Sequence, residues 1–266
     1  MNKRYVLLCD YGLDDAVATL YLLNNSLKGD RFDIMPVGGN SEVNAAYVNA
    51  QKLLAFYEGD KSGVRIVDTR GVAQPWAKLP SVHGDDGMGD LLAPCVSDLE
   101  VISFDEWLKE ENAPMTLVSL GPCTLTKIIL EKKGAQELLI MGGCVDETPN
   151  FHGYEFNHYL DIPAFNACVK YPHVVATLDS CRVPRFNYAG KRLKETCLLN
   201  KLINRAEELA EKRHPDNCYI YDYIAVHYLT QPESFSLKTV TDRENNRLNE
   251  MHSNCLLYTS DAADEL

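Results

Sequence analysis

The sequence carries no excess of positive charge: 26 lysines and arginines stand against 38 aspartates and glutamates, for a formal net charge of -12. A nucleic-acid-binding protein needs a cationic face toward the phosphates, so we expect no nucleic-acid partner. The chain also lacks an apolar run of the roughly 20 residues needed to cross a bilayer. The apolar stretch after Arg4 ends at Asp10 and lacks the pattern of a signal peptide. We therefore expect no membrane partner and a cytoplasmic location.

No two of the nine cysteines form a Cys-x-x-Cys pair. Zinc sites and disulfide frameworks show regular cysteine spacings, and this chain shows none. Several of the cysteines lie within apolar, strand-like segments, among them Cys9, Cys144 and Cys168. This pattern indicates reduced, buried thiols that pack as small hydrophobic side chains in a cytosolic protein.

No repeat, low-complexity tract or linker rich in glycine or serine divides the chain, so we predict a single domain over residues 1–254. The final segment, residues 255–266, has no helical or strand periodicity and no relation to the pattern before it. We interpret this segment as a non-native tail, which should be excluded from reasoning about the fold. On this interpretation the domain lacks part of its natural C-terminus.

Short β-rich runs alternate with helical stretches along the chain. The predicted strands cover residues 4–9, 33–37, 64–67, 115–120, 138–141 and 174–178, and the predicted helices cover residues 14–24, 42–57, 124–132, 191–213 and 219–229. Such alternation implies right-handed crossovers. The sequence therefore predicts an α/β fold with a Rossmann-like, open, mainly parallel sheet and helices on both faces. Ligands of such sheets bind beyond the carboxyl ends of the strands.

Three carboxylates lie within six residues at the end of the first predicted strand: Asp10, Asp14 and Asp15. Like charges this close repel one another and raise the pKa of each group, unless a cation lies among them. Hard divalent cations such as calcium prefer carboxylate oxygens. The alternative is that Asp14 and Asp15 only cap the following helix and interact with its positive end. This segment alone leaves both interpretations open.

Other polar or glycine-rich segments extend the pattern. They are Gly38-Gly39-Asn40, His83-Gly84-Asp85-Asp86-Gly87-Met88-Gly89, Leu120-Gly121-Pro122-Cys123-Thr124, Met141-Gly142-Gly143, Glu155-Phe156-Asn157 and Tyr221-Asp222. Asp222 lies in a predicted helix among tyrosine, isoleucine and alanine residues. An acid on an apolar helix face needs a partner, and a bound metal would supply one.

Taken in order, these segments resemble the inosine-uridine nucleoside hydrolase family. The family shows D-x-D-P-G-x-D-D, A-G-N, H-G-x-x-G, T-G-P-L-T-N, M-G-G, E-F-N and H-D at nearly the same spacing, over residues 4–235 of this chain. The resemblance implies hydrolysis of the N-glycosidic bond of a ribonucleoside to ribose and free base. It also implies a small-molecule ribonucleoside as partner and a homo-oligomer, either a dimer or a tetramer.

The resemblance also implies a role for each matching position. Calcium would be bound by Asp10, Asp15, Asp222 and the main-chain carbonyl of Leu120, and Asp10 would also take a proton from the attacking water. Tyr221 would act at the leaving base. The substrate-binding residues would be Asp14, Asn40, Glu155 and Asn157 at the ribose hydroxyls, Asn150 near the 5′ end, and His83 in a mobile loop that closes over the substrate.

Five departures from the family motifs stand out. Leu8 replaces the first aspartate, Tyr11 replaces proline and Tyr221 replaces histidine. In the fourth motif, Leu120 replaces the first threonine and Leu125 replaces the last asparagine. These departures keep an alternative open: a weak or inactive relative that binds calcium and ribonucleoside without efficient turnover. A phosphatase with an aspartate nucleophile would need a second acid at Gly12, so that interpretation is disfavoured.

Overall fold

The computed structural model describes residues 2–254. Its strands are β1 (Arg4–Cys9), β2 (Arg31–Pro36), β3 (Val64–Asp68), β4 (Val101–Ser103), β5 (Thr116–Ser119), β6 (Glu137–Met141), β7 (Val174–Ala176), β8 (Phe235–Thr241) and β9 (Arg247–Ser253). Its α-helices are α1 (Leu13–Asn24), α2 (Val43–Phe56), α3 (Pro80–His83), α4 (Phe104–Lys109), α5 (Thr124–Lys132), α6 (Phe156–Leu160), α7 (Ile162–Cys168), α8 (Leu178–Cys181), α9 (Leu198–Glu211) and α10 (Tyr221–Thr230). Short 3-10 helices cover Pro184–Phe186 and Pro232–Ser234.

The strands form one sheet in the order β4-β3-β2-β1-β5-β6-β7-β9-β8. Every neighbouring pair is parallel except β8 and β9, which are antiparallel. The chain runs outward from β1 to β4 and then returns to β5 on the other side of β1. The strand order therefore reverses between β1 and β5, and such a reversal opens a crevice at the carboxyl ends of the strands. The predicted open, mainly parallel sheet is confirmed.

The core is divided between the two faces of the sheet. Along β1, Tyr5, Leu7 and Cys9 belong to a buried cluster with residues of α1, α2, α9 and α10. The alternate residues Val6 and Leu8 belong to a second cluster with α4, α5 and α7. Successive side chains of a strand point to opposite faces, so helices on both faces make the central strand apolar throughout.

A partly buried ion network connects three strands and a helix on the second face. The carboxylate of Asp33 on β2 accepts hydrogen bonds from Arg4 at 2.6 Å and from Arg65 at 2.6 Å. The indole Nε1 of Trp107 donates to the same carboxylate at 2.9 Å. Glu110 pairs with both arginines from the end of α4. Asp33 is thus the buried centre that links β1, β2 and β3 to α4.

Three strands were missing from the sequence prediction, which was wrong in the number of strands. The missed β4 has only three residues at one edge of the sheet, and β8 and β9 form a hairpin at the other edge. Most side chains of β8 are exposed, so an edge strand of this kind carries little apolar pattern. The helix predicted from residue 191 begins only at Leu198, because the Asn204 side chain binds both the N–H and the carbonyl of Leu193 and holds that segment in another conformation.

Within residues 2–254, no helix combines the length and apolar character needed to cross a membrane. Residues 255–266, interpreted above as a non-native tail, lie outside the described residues. The single domain over residues 1–254 remains a prediction.

Candidate active site

A cavity of about 740 Å³ opens at the carboxyl ends of the strands, beside the point where the strand order reverses. Of the side chains predicted to form a site, all but Asp15 line this cavity: Asp10, Asp14, Asn40, His83, Leu120, Asn150, Glu155, Asn157, Tyr221 and Asp222. They come from segments that are widely separated along the chain, from Asp10 to Asp222. The volume is ordinary for a small-molecule site.

A tight turn after β1 brings the first acids together. The Asp15 carboxylate accepts hydrogen bonds from the backbone N–H of Asp10 at 3.1 Å and of Gly12 at 2.9 Å. Asp15 therefore caps the start of α1, as one of the two interpretations expects. Tyr11, between Asp10 and Gly12, has a φ of 51°. This value lies in the left-handed region, in which a residue other than glycine stores strain. This turn bends the chain so that Asp10 and Asp14 both face the cavity.

Asp14 and Asp15 of α1 and Asp222 of α10 form an acid cluster, and Asp10, directly after β1, lies beside Asp15. One carboxylate oxygen from each of Asp14, Asp15 and Asp222 lies within 4.8 Å of the other two. Burial raises the pKa of Asp15 and of Asp222 well above the ordinary value, and the charges of their acidic neighbours raise it further. Burial also raises the pKa of Asp10, although hydrogen bonds to Asp15 and Asn40 lower it in part. Ionised together, these groups require a compensating cation.

The donor set fits a hard cation. All the side-chain donors are carboxylate oxygens, which calcium prefers. The buried Oδ1 of Asp14 has no hydrogen-bond partner among the described residues, and an unsatisfied buried acceptor is costly. An ion at the centre of the cluster would satisfy this atom and the charges around it.

Asp10 is oriented by Asn40. The backbone N–H of Asn40 donates to Oδ2 of Asp10 at 2.8 Å, and Nδ2 of Asn40 donates to Oδ1 at 2.8 Å. A side chain at Gly39 would overlap the Asp10 carboxylate, so the glycine permits this close approach. Asn40 is predicted to contact ribose. Its amide nitrogen donates to Asp10, which leaves its Oδ1 for a ligand.

Asn157 and Leu120 meet at the next strand ends. Nδ2 of Asn157 donates to the carbonyl of Leu120 at 2.7 Å and to that of Met141 at 3.3 Å. These bonds tie the end of β5 to the end of β6. A carbonyl oxygen has two lone pairs, so the Leu120 carbonyl keeps one lone pair for a second partner.

Glu155 closes the same side of the cavity as the N-cap of α6. Its carboxylate accepts hydrogen bonds from the backbone N–H groups of Gly143 at 3.1 Å, Asn157 at 2.9 Å and His158 at 2.9 Å. Burial raises the pKa of Glu155 to about 7, although these three donors lower it. The side chain is held rigidly and presents an acceptor to the cavity.

His83 is packed against the start of α1. It is buried at the end of α3, and its Nδ1 accepts a hydrogen bond from the backbone N–H of Leu13 at 3.1 Å. The segment that follows is tied to α2 by Lys52, whose Nζ lies 2.9 Å from Asp86, and to α9 by Arg205, whose Nε donates to Gly89 at 2.8 Å. In this structure the histidine and its loop contact α1, α2 and α9, and the closure of the loop over substrate stays a prediction.

Tyr221 begins α10 and lines the cavity beside Arg182. Nε of Arg182 donates a hydrogen bond to the Tyr221 hydroxyl at 3.2 Å. Burial raises the pKa of this hydroxyl, and the adjacent guanidinium offsets part of the rise.

The family model of the inosine-uridine preferring nucleoside hydrolases matches residues 5–255. This chain belongs to that family. Among curated proteins, it is 25% identical to the pyrimidine-specific ribonucleoside hydrolase RihA of Shewanella woodyi over 189 residues, which cover 64% of this chain and 57% of the relative. The chain thus spans less than two thirds of that relative's length. It is 27% identical to the non-specific ribonucleoside hydrolase RihC of Salmonella paratyphi A over 273 residues, which cover 90% of this chain and 82% of the relative.

A solved structure shows the same fold. The purine-preferring ribonucleoside hydrolase from Gardnerella vaginalis superposes with a TM-score of 0.70 at 19% sequence identity, over 95% of this chain and 89% of that one. The sequence-based identification as a nucleoside hydrolase is therefore confirmed at the level of family and fold.

Two of the departures from the nucleoside hydrolase motifs lie in the core. Leu8 and Leu125 are both fully buried and belong to the same apolar cluster on the second face of the sheet. Neither lines the cavity. In this chain the two leucines therefore belong to the core and not to the wall of the cavity.

The sequence motifs did not indicate every residue of the cavity wall in this family member. Arg182, Glu147 and Arg213 also line it. Arg182 follows directly after β7 and α8. The rule that ligands bind beyond strand ends, applied to this strand as it was to the earlier ones, would have pointed to it.

Proposed function

We propose that this chain hydrolyses the N-glycosidic bond of ribonucleosides to ribose and free base. The observation that carries the proposal is the convergence, on one cavity, of a buried acid cluster with Asp10, Glu155 and Asn157. Each of these three side chains is fixed by hydrogen bonds that leave it facing the cavity. The membership of the family and the conserved order of its motifs along the chain support the same reaction.

We propose calcium as the cation, held by Asp10, Asp15, Asp222 and the carbonyl of Leu120. Two of these ligands, Asp15 and Asp222, form an oxygen-only cluster with Asp14, whose Oδ1 has no hydrogen-bond partner among the described residues. Both observations support a hard divalent ion at this position. When bound, such an ion lowers the pKa of a water molecule and holds it near the substrate.

Asp10 is the proposed general base. Both of its oxygens accept hydrogen bonds from Asn40, so the carboxylate cannot rotate away from the cavity. Removal from bulk water makes a carboxylate more basic, which suits a group that must accept a proton from the attacking water. A positioned base of this kind contributes about 10²–10⁴-fold to a rate.

The ribose end is proposed to lie between Asp14, Asn40, Glu155 and Asn157, with Asn150 near the 5′ end. Bond cleavage builds positive charge on the ribosyl ring, as in glycoside hydrolysis. Fixed carboxylates around the ring stabilise that charge more than they stabilise the neutral substrate. The rigid anchoring of Glu155 and Asn157 reduces the reorganisation that this stabilisation would otherwise need.

The alternative, a relative that binds but turns over poorly, is less well supported. It rested on Leu8, Leu125 and Tyr221. The first two lie in the core and not in the wall of the cavity, so neither leucine would face a substrate. Only Tyr221 changes the chemistry of the cavity itself.

Tyr221 is proposed to act at the leaving base. With an ordinary pKa near 10, a tyrosine is a poor proton donor at neutral pH, although it donates hydrogen bonds well. A purine benefits from protonation at N7, whereas a pyrimidine has no such atom. We therefore propose that uridine is cleaved faster than inosine. The base preferences named for the relatives differ from one another. The base preference of this chain must therefore be inferred from its own residues.

Release of reducing sugar from uridine, cytidine, inosine, guanosine and adenosine tests the proposal. We expect turnover of at least one nucleoside, lost on chelation of calcium and restored by its addition. Binding of nucleosides without any release of sugar would instead support the non-catalytic alternative. We further propose a cytoplasmic homo-oligomer, which sedimentation velocity and cell fractionation would check.

A further inference from the structure

Arg182 makes three polar contacts at the wall of the cavity. Its Nε donates to the Tyr221 hydroxyl at 3.2 Å, and its Nη1 donates to the carbonyl of Thr148 at 2.8 Å and to Oε2 of Glu147 at 3.2 Å. The side chain is 21% exposed. Because a guanidinium is a planar fork with fixed N–H directions, the two contacts through Nη1 fix the direction of Nε.

The bond from Arg182 determines what the Tyr221 hydroxyl can offer. An arginine has no acceptor, so the tyrosine oxygen must accept this hydrogen bond. The hydroxyl proton then points elsewhere, and no other partner of this hydroxyl is present among residues 2–254. Since Tyr221 lines the cavity, its hydroxyl is left as a hydrogen-bond donor toward a ligand.

We propose that Arg182 is a positioning residue for the leaving base: it orients the Tyr221 hydroxyl so that its proton faces the departing nucleobase. The inference rests on the proposed hydrolase function and names a residue that the family motifs do not contain. Arg182 itself touches Tyr221, Glu147 and Thr148, and acts on the base through the tyrosine.

The chemistry gives this donor a role. When the C1′–N bond breaks, its electron pair stays on the base nitrogen, and part of the negative charge moves to the carbonyl oxygens of the base. The oxygen of the attacking water forms the new bond to C1′, and one proton of that water passes to Asp10. The released base finally takes one proton from solvent. A hydrogen bond from the tyrosine strengthens as the base becomes anionic. It therefore stabilises the transition state more than the ground state.

A purely structural role for Arg182 would have a different signature. The bonds to Glu147 and Thr148 hold the segment that precedes Asn150, where the ribose is proposed to bind. Loss of that support would impair every riboside, whatever its leaving group. Loss of the donor would impair only substrates whose leaving group needs stabilisation.

The test compares uridine with p-nitrophenyl β-D-ribofuranoside, whose nitrophenolate leaves without help. The variants are Arg182→Met, Tyr221→Phe and the double variant, with Arg192→Met as the control. Arg192 pairs with Glu208 at 2.6 Å on an exposed surface and does not line the cavity.

We expect Arg182→Met and Tyr221→Phe each to lower kcat on uridine by about 10–100-fold, which corresponds to the loss of one charge-assisted hydrogen bond. On the nitrophenyl riboside both should stay within about threefold of the wild type, and the double variant should be no slower than the slower single variant.

Three results would overturn the inference. Equal losses on both substrates in Arg182→Met would assign the arginine a structural role. Multiplied losses on uridine in the double variant would show that Arg182 acts independently of Tyr221. A wild-type protein that hydrolyses neither substrate would refute the proposed function, and the inference with it.

Discussion

Asp222→Asn should have opposite effects on stability in the absence and in the presence of calcium. Asp222 is 3% exposed, and one of its carboxylate oxygens lies within 4.8 Å of a carboxylate oxygen of Asp14 and of Asp15. Without an ion, the buried charges repel and are poorly solvated, so the neutral amide should leave the protein at least as stable as the wild type. With calcium, the variant has lost a carboxylate ligand, so calcium should increase its stability much less than that of the wild type.

The magnitude follows from linkage. A ligand present at 100 times its Kd adds about 2.7 kcal/mol to the free energy of unfolding. In a protein of this size each kcal/mol moves Tm by about 2–4 °C. Wild-type Tm should therefore rise by about 5–10 °C between EDTA and saturating calcium, and Asp222→Asn should show less than half of that rise.

Differential scanning calorimetry in EDTA, calcium and magnesium measures these shifts without any assay of activity. Asp98→Asn is the matched control, because the Asp98 side chain is 87% exposed, and its calcium increment should equal that of the wild type. An equal calcium increment in Asp222→Asn, or no increment in the wild type, would refute the assignment of the acid cluster as a cation site.

Other perturbations test the remaining roles. Asp10→Asn should retain the wild-type circular dichroism spectrum and lose about 10²–10⁴-fold in kcat, because an amide cannot accept the proton of water; near wild-type turnover would exclude Asp10 as the base. Tyr221→His should raise the ratio of inosine to uridine hydrolysis above the wild-type value, and an unchanged ratio would show that this residue does not set the base preference. Asp33→Ala should lower the free energy of unfolding in urea by about 3–5 kcal/mol, because it leaves Arg4 and Arg65 without their buried partner. A loss below about 1 kcal/mol would mean that Glu110 alone neutralises both arginines.

The sequence by itself was sufficient for the fold class and for predicting which residues meet at one cavity. Strands and helices alternate with periods of two and about 3.6 residues, and both periods can be recognised locally in the chain. Because parallel strands end at the same edge of a sheet, the polar segments after β1, β2, β5 and β6 could be assigned to one crevice. Ten of the predicted side chains line that cavity.

The apolar periodicity of the sequence predicts the edge strands of the sheet less well than the central strands. β4 is three residues long and β8 is mostly exposed, so neither has the apolar periodicity from which a buried strand is predicted. Their pairing is stabilised by neighbours that are remote in the chain. Tertiary context of this kind outweighs intrinsic strand propensity.

Only the tertiary structure decided which polar groups pair with one another. The motifs assigned Asn40 to ribose and His83 to a mobile loop. The structure adds the partners of these groups: the Asn40 amide lies against Asp10, and the His83 ring lies against the start of α1. Arg182 and Tyr221 are 39 residues apart, and their contact exists because α8 and α10 meet at the end of β7. Hydrogen bonds are directional and short-ranged. A motif can therefore predict which chemical groups reach a cavity, whereas their partners depend on positions that the whole fold sets to within a fraction of an ångström.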